Sequence, residues 1–230
     1  MPIEYVVLGV LVLIGLIALR KLMRYKSLHP LLPRKYNFGK RRDTLKETLA
    51  MLEARRARTL VETGTARLGL AKTKGDGAST IVFGLWAQRH GAHLHSVDID
   101  AQAIDESRRA VSEMDLIDSV SFHVSDSVAF LESFQDPVDF LYLDSYDYDR
   151  HDVAVQKASQ AHHLAEFLAI TDRLHEASVV LIDDCGVPGG GKGKLVIEHM
   201  RANGWQILMD SYQVLLGRMP DSAASQIGGQ

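Results

Sequence analysis

The chain has one cysteine, Cys185, in 230 residues, so no internal disulfide framework can staple it, and the usage fits a reducing compartment. It has no excess of one charge: 26 Lys and Arg against 29 Asp and Glu leave a formal net charge of −3, which removes any global argument for nucleic acid as a partner. No G-x-G-x-x-G occurs, which argues against a NAD-linked oxidoreductase. The glycine-rich stretch Gly186–Lys194 does not complete G-x-x-x-x-G-K-[ST], because Leu195 follows Lys194, so an ATP-type phosphate loop is not encoded either. No internal repeat is present, and only the tail from Pro220 is poor enough in apolar residues to read as flexible.

One long apolar run is there. Residues 3–19 are apolar except for Glu4 and are followed by Arg20, Lys21, Arg24 and Lys26, then by Arg34, Lys35, Lys40, Arg41 and Arg42, with no acid before Asp43. A spanning helix needs about 20 residues and tolerates roughly 17. A secretory signal would place its positive charges before the run rather than after it. The expectation is a transmembrane anchor over 1–21 and a basic juxtamembrane linker over 22–42 that can lie on anionic lipid. The positive-inside rule then gives a single-pass membrane protein with its catalytic domain cytoplasmic.

Beyond the linker, Asp43 reads as the cap of a helix with Leu45, Leu49 and Leu52 on one face. Strand patterns at 58–62, 92–98, 119–124, 138–144 and 178–183 then alternate with helix patterns at 79–90, 101–114, 126–134, 157–176 and 194–203. This alternation predicts an α/β domain over 43–217 with helices on both faces of a parallel sheet. Residues 205–210 and 212–216 are too close for a parallel crossover and predict a closing antiparallel hairpin, with 218–230 as a flexible tail.

The most informative residues sit at strand ends. The first strand ends in Glu62-Thr63-Gly64 and the second in Asp98. Ligands of open α/β sheets bind outside the carboxyl ends of the strands. Two acids there, with a glycine turn between, suit a ligand bearing a ribose and a cationic head, which points to S-adenosyl-L-methionine. Asp98 can accept two hydrogen bonds from a vicinal diol. The third strand is followed by Ser125, Asp126 and Ser127. Asp126 is a candidate acceptor for an adenine amino group, or equally a helix cap. Gly77 and Ser79 stand where a longer first loop re-enters a helix. The fourth and fifth strands end in Asp144 and in Asp183-Asp184. Three carboxylates converging on one rim repel one another unless a hard divalent cation joins them.

These residues and the closing hairpin resemble the class I S-adenosylmethionine-dependent methyltransferases over residues 43–217. The resemblance implies a Rossmann-like sheet of order 3-2-1-4-5-7-6 with strand 7 antiparallel. It also implies cofactor contacts from Glu62, Gly64, Gly77, Ser79, Asp98, Asp126 and Ser127. The acids Asp144, Asp183 and Asp184 match, position by position, the metal ligands of catechol O-methyltransferase-like enzymes and of bacterial sugar O-methyltransferases. That implies Mg²⁺ or a similar ion and O-methylation of a small-molecule or glycan acceptor. The lysine that catechol-type enzymes carry three residues after the fourth-strand acid is replaced by Asp147, so the base is open among Asp147, His151, His162 and His163, with His163 and Asp147 ranked first. Neither the acceptor nor the oligomeric state is encoded legibly. A metal-dependent hydrolase, or a membrane-tethered scaffold that binds the cofactor without turnover, are the alternatives.

Overall fold

A computed structural model of the chain describes residues 3–25, 31–32, 36–70 and 73–218. Lys26 beside the apolar run, Arg34 and Lys35 in the expected linker, and the expected tail from 219 lie outside these residues.

The domain is a seven-stranded sheet of order β3-β2-β1-β4-β5-β7-β6, as the resemblance implied. Its strands are β1 (Thr59–Thr63), β2 (His93–Asp98), β3 (Val120–Val124), β4 (Val138–Leu143), β5 (Leu174–Ile182), β6 (Gln206–Asp210) and β7 (Val214–Gly217). The first five pair in parallel, and β7 is antiparallel to both β5 and β6. The central strands read as continuous apolar runs because both faces are covered. On one face Leu60, Phe140, Tyr142, Val179 and Leu181 pack with α2 (Arg41–Ala54), α4 (Ser79–His90) and Val111 of α5 (Ala101–Ser112). The alternate residues Val61, Leu141, Leu143, Val180 and Ile182 pack on the other face with Leu131 of α6 (Ser127–Ser133), Phe167 of α7 (Val153–Ile170) and Val196 of α8 (Lys194–Ala202). A single turn, α3 (Thr73–Asp76), precedes α4.

Several boundaries differ from the sequence expectation. Asp43 is not the cap of α2: the helix starts at Arg41 with Lys40 at its cap position, and Asp43 falls in the first turn, where its charge favours the helix dipole. The helix expected at 157–176 begins earlier, because Asp152 accepts from the backbone N–H groups of Ala154 and Val155. It ends at Ile170, and a 3₁₀ turn then feeds β5 from Leu174. The closing hairpin forms, but Tyr212 and Gln213 belong to its turn rather than its second strand.

The linker expectation changes most. Leu31, Leu32 and Phe38 are buried in the same core as α2. Arg42 is 2% exposed, donating to the carbonyls of Leu32 and Tyr36. Nearly all of a packed domain's basic residues stay wet; here two that read as lipid-facing are interior. The domain therefore begins by Leu31 rather than at Asp43.

The apolar run forms α1 (Ile3–Tyr25), and Tyr5, Leu8, Leu11 and Leu16 on it are exposed. The transmembrane anchor expected over 1–21 is not supported: among the described residues no helix is long and apolar enough to cross a membrane.

Candidate functional site

Strand order reverses between β1 and β4, and the carboxyl ends of those strands meet there. Gly64, at φ +82, is so close to the chain leaving β4 that an added Cβ would lie 2.5 Å from the carbonyl oxygen of Asp144. The glycine required by the sequence pattern thus serves a chain-to-chain approach as much as a ligand. Around this junction the sequence-predicted residues gather into two adjoining cavities that share Gly64 and Ser145 as lining.

The first cavity, about 290 Å³, is lined by Gly64, Asp98, Asp126, Ser127, Tyr146 and His162, among others. Asp98 is fixed by the backbone N–H groups of Thr65 and Asp100, at 3.1 and 2.9 Å. Asp126 caps α6, accepting from the Ala129 N–H at 2.9 Å, and still borders the cavity, so both readings of it hold. Ser127 meets His162 Nε2 at 3.1 Å, and Tyr146 packs beside the same imidazole. His162 also lies 3.4 Å from the buried Glu166 carboxylate, which holds its pKa above the usual histidine range.

Glu62, at the end of β1 two residues before Gly64, is wholly buried. It accepts hydrogen bonds from Ser96 and from Thr80, whose hydroxyl also receives the Ala66 N–H. The Thr80 hydroxyl thereby ties the loop after β1 to α4, and the Glu62 carboxylate joins α4 to β2. Burial pushes the Glu62 pKa up to about 7, and the hydroxyl donors moderate the rise. Ser79, predicted beside it, is buried and borders the second cavity. Gly77, at φ +78, packs against the Arg41 side chain and does not border either cavity.

The second cavity, about 130 Å³, holds Asp144, Asp147, Asp184, Lys192, Arg41 and Arg67, among others. Of the three predicted metal ligands, Asp144 and Asp184 border this cavity and Asp183 is fully buried, and cations of the chain itself join all three. Arg41 Nε lies 2.7 and 3.0 Å from the two oxygens of the buried Asp183, and its Nη2 lies 3.3 Å from Asp184. Lys192 Nζ is 2.6 Å from Asp144 and 3.6 Å from Asp184. The Tyr142 hydroxyl donates to Asp183 at 2.8 Å. Burial alone would lower the Lys192 pKa, yet Asp144 and Asp184 hold it above the usual lysine range. It is a cation here and not a base. Burial raises the pKa values of Asp144 and Asp183 against the pull of these cations. Among the described residues no group of three or more His, Cys, Asp or Glu side chains is arranged to hold a metal ion. The expectation of Mg²⁺ on Asp144, Asp183 and Asp184 is not supported: Lys192 and Arg41 already offset most of their charge, and a divalent ion would have to displace one of them.

The two leading bases separate. Asp147 is exposed and borders the second cavity. His163 is fully buried, its Nδ1 against the Ser159 carbonyl at 2.7 Å, and burial lowers its pKa to about 4. It faces the core, and its neighbour His162 faces the first cavity. His151 is exposed in the loop before α7.

The glycine-rich loop is packed rather than open: Gln160 donates to the carbonyls of Gly189 and Gly191, and Tyr148 to that of Pro188. A Cβ on Gly191 would meet the Asp184 carbonyl oxygen. This packing delivers Lys192, which is 3% exposed, to Asp144. Arg41 is the site residue that sequence reading missed, its only signal a basic residue after Phe38. Lys192 was legible as a cation of the glycine run, but not as the partner of Asp144.

Fold and site together define the class I methyltransferase architecture. Residues 74–185 match the model of a methyltransferase domain family. Solved structures agree on the fold. A methyltransferase from Podospora anserina, PaMTH1, with S-adenosylhomocysteine bound, superposes with a TM-score of 0.58 at 11% identity, covering 88% of this chain and 87% of that one. An O-methyltransferase from Bacillus cereus in complex with S-adenosylhomocysteine gives 0.53 at 13% identity, covering 84% and 83%. The O-methyltransferase TomG of Streptomyces achromogenes, involved in tomaymycin synthesis and solved with S-adenosylmethionine, gives 0.51 at 14%, covering 80% and 83%. No curated protein matches the chain.

Proposed function

We propose that the protein is an S-adenosylmethionine-dependent O-methyltransferase whose acceptor site is charged by Arg41 and Lys192 in place of a divalent ion. The observation that carries this reading is the pair of adjoining cavities at the strand-order reversal. One is bordered by Asp98, Asp126, Ser127 and His162; the other by Asp144, Asp147 and Lys192.

The first donor set fits the cofactor. Asp98 accepts from ribose hydroxyls, and Asp126, Ser127 and His162 offer polar contacts to adenine with Tyr146 beside them. Glu62 orders the loop next to the methionine portion. S-adenosylmethionine, when bound, supplies an activated methyl group on a sulfonium. The chain's own task is then to orient an acceptor hydroxyl and take up its proton. Lys192 stabilises developing negative charge on the acceptor oxygen, in the way that fixed cations assist such steps. Asp147 is the one leading base that faces the cavity. A hydrolase reading leaves Asp98 and Glu62 without a role.

Membrane association is part of the proposal, with the domain cytoplasmic. It is supported by the exposed apolar residues of α1 and by the basic residues that follow them in the sequence, which suit an anionic lipid surface rather than a span. The acceptor is then a small metabolite or glycan within reach of that face.

The test is methyl transfer from radiolabelled S-adenosylmethionine into a membrane extract by the full-length protein. Label should enter the extract in EDTA as well as in Mg²⁺, and the Asp98→Ala variant should lose at least roughly tenfold in rate, the loss of a bidentate charged contact. Equal labelling by both proteins would overturn the reading.

A further inference from the structure

A third cavity, about 340 Å³, adjoins the second across Arg41, which borders both. Its wall carries Lys40, Arg41, Lys74 and Arg150, with Asn37 and Tyr212 completing the polar lining and no carboxylate among them. Arg41 is committed to Asp183 and Asp184. The other three cations form no salt bridge among the described residues, and all three are exposed. Lys40 Nζ stands 5.6 Å over the Tyr212 ring, on which the Arg41 guanidinium also rests at 4.8 Å.

This collection is built rather than incidental. Arg41 Nη1 donates to the carbonyls of Lys74 and Gly75, both at 3.3 Å, and the Thr73 hydroxyl donates to the Asn37 carbonyl at 3.0 Å. The Lys74 stem packs against Gly39. The segment around Lys40 and the turn α3 are therefore pinned to one another. Lys40 and Lys74 are held on one wall, although 34 residues of chain separate them. Arg150 comes from the same β4–α7 loop that carries Asp147. Like charges gathered around a concavity repel one another unless an anion joins them, and a low-dielectric wall strengthens its capture.

We infer that this cavity binds a phosphate or diphosphate group of the methyl acceptor through Lys40, Lys74 and Arg150, which places the acceptor's hydroxyl toward Asp147 and Lys192. The inference rests on the methyltransferase reading and narrows its substrate to a phosphorylated hydroxyl compound. Arg41 is the partition between the two cavities: Nε and Nη2 hold the aspartates of the transfer site, and Nη1 holds the carbonyls of Lys74 and Gly75, which fixes the wall of the anion cavity.

The experiment uses the full-length protein in a neutral detergent, titrated calorimetrically with inorganic pyrophosphate at low and high salt. S-adenosylhomocysteine is titrated separately as a control. Saturable pyrophosphate binding is expected that weakens with salt and falls roughly tenfold or more in the Lys74→Ala/Arg150→Ala double variant, a loss of about 1.4 kcal/mol or more. Both residues are exposed, so S-adenosylhomocysteine binding should be unchanged by the substitutions. The charge-preserving Lys74→Arg should retain pyrophosphate. Absence of pyrophosphate binding, or binding indifferent to the double variant, overturns the inference. Failure of S-adenosylhomocysteine to bind overturns the methyltransferase reading instead, so the two fail separately. Glycerol 3-phosphate and vesicles containing phosphatidic acid distinguish the source. Competition by the first assigns a free phosphate ester. Vesicle binding weakened by the double variant assigns a lipid headgroup, and either outcome supports the shared chemistry.

Discussion

At the residue scale, Glu62 carries the sharpest consequence. Its carboxyl is wholly buried, with a pKa near 7 against an ordinary value of 4.5. Below about pH 4.5 both folded and unfolded forms hold the proton. Between 4.5 and 7 the unfolded chain releases it and the folded chain does not, so stability falls as pH rises through that window and levels off above it. The shift corresponds to an effect on the order of 3 kcal/mol. Urea midpoints across pH 4.5–8 should therefore show a decline in the wild type that is absent in Glu62→Gln. A decline of the same size in the variant would remove Glu62 as its source. The acid itself was legible as a strand-end residue before a glycine. Its protonation was not, because that depends on complete burial by the surrounding elements, which the hydroxyl donors Thr80 and Ser96 only moderate. His162 and His163 show the same limit. Adjacent residues on a helix point about 100° apart, and only the docking of α7 against the sheet decides which enters the core.

At the scale of elements, strands and their acids were readable because alternating apolar runs ending in Asp or Glu are a local pattern. The reach of the N-terminal segment was not. A run of basic residues reads as solvated or lipid-facing, yet Arg41 pairs with Asp183 from 142 residues away, and Phe38 is buried beside α2. Burial of Leu31, Leu32 and Phe38 contributes about 1.5–3 kcal/mol each. A chain beginning at Leu31 should keep the wild-type melting temperature of the domain, whereas one beginning at Asp43 should melt far lower or fail to fold, by differential scanning fluorimetry. Equal melting of the two would show that this segment is dispensable and that the domain starts where the sequence pattern placed it.

At the scale of the molecule, three cavities adjoin one another in sequence: an acidic and polar one, one lined by both signs of charge, and a basic one. They share Gly64 and Ser145 at the first junction and Arg41 at the second. This order matches a cofactor with a ribose, a transfer point, and an anionic acceptor. The sequence carried the first of these openly. It carried the second only as three aspartates, whose counter-charges came from a loop and a segment read as linker.

The most direct measurement is calorimetric titration of S-adenosylmethionine into the full-length protein, first in EDTA and then in Mg²⁺, with Asp98→Ala alongside. One saturable site with the same affinity in both buffers, lost in the variant, is the predicted result. No binding in either buffer, or binding only once Mg²⁺ is present, would contradict a transfer site charged by Arg41 and Lys192.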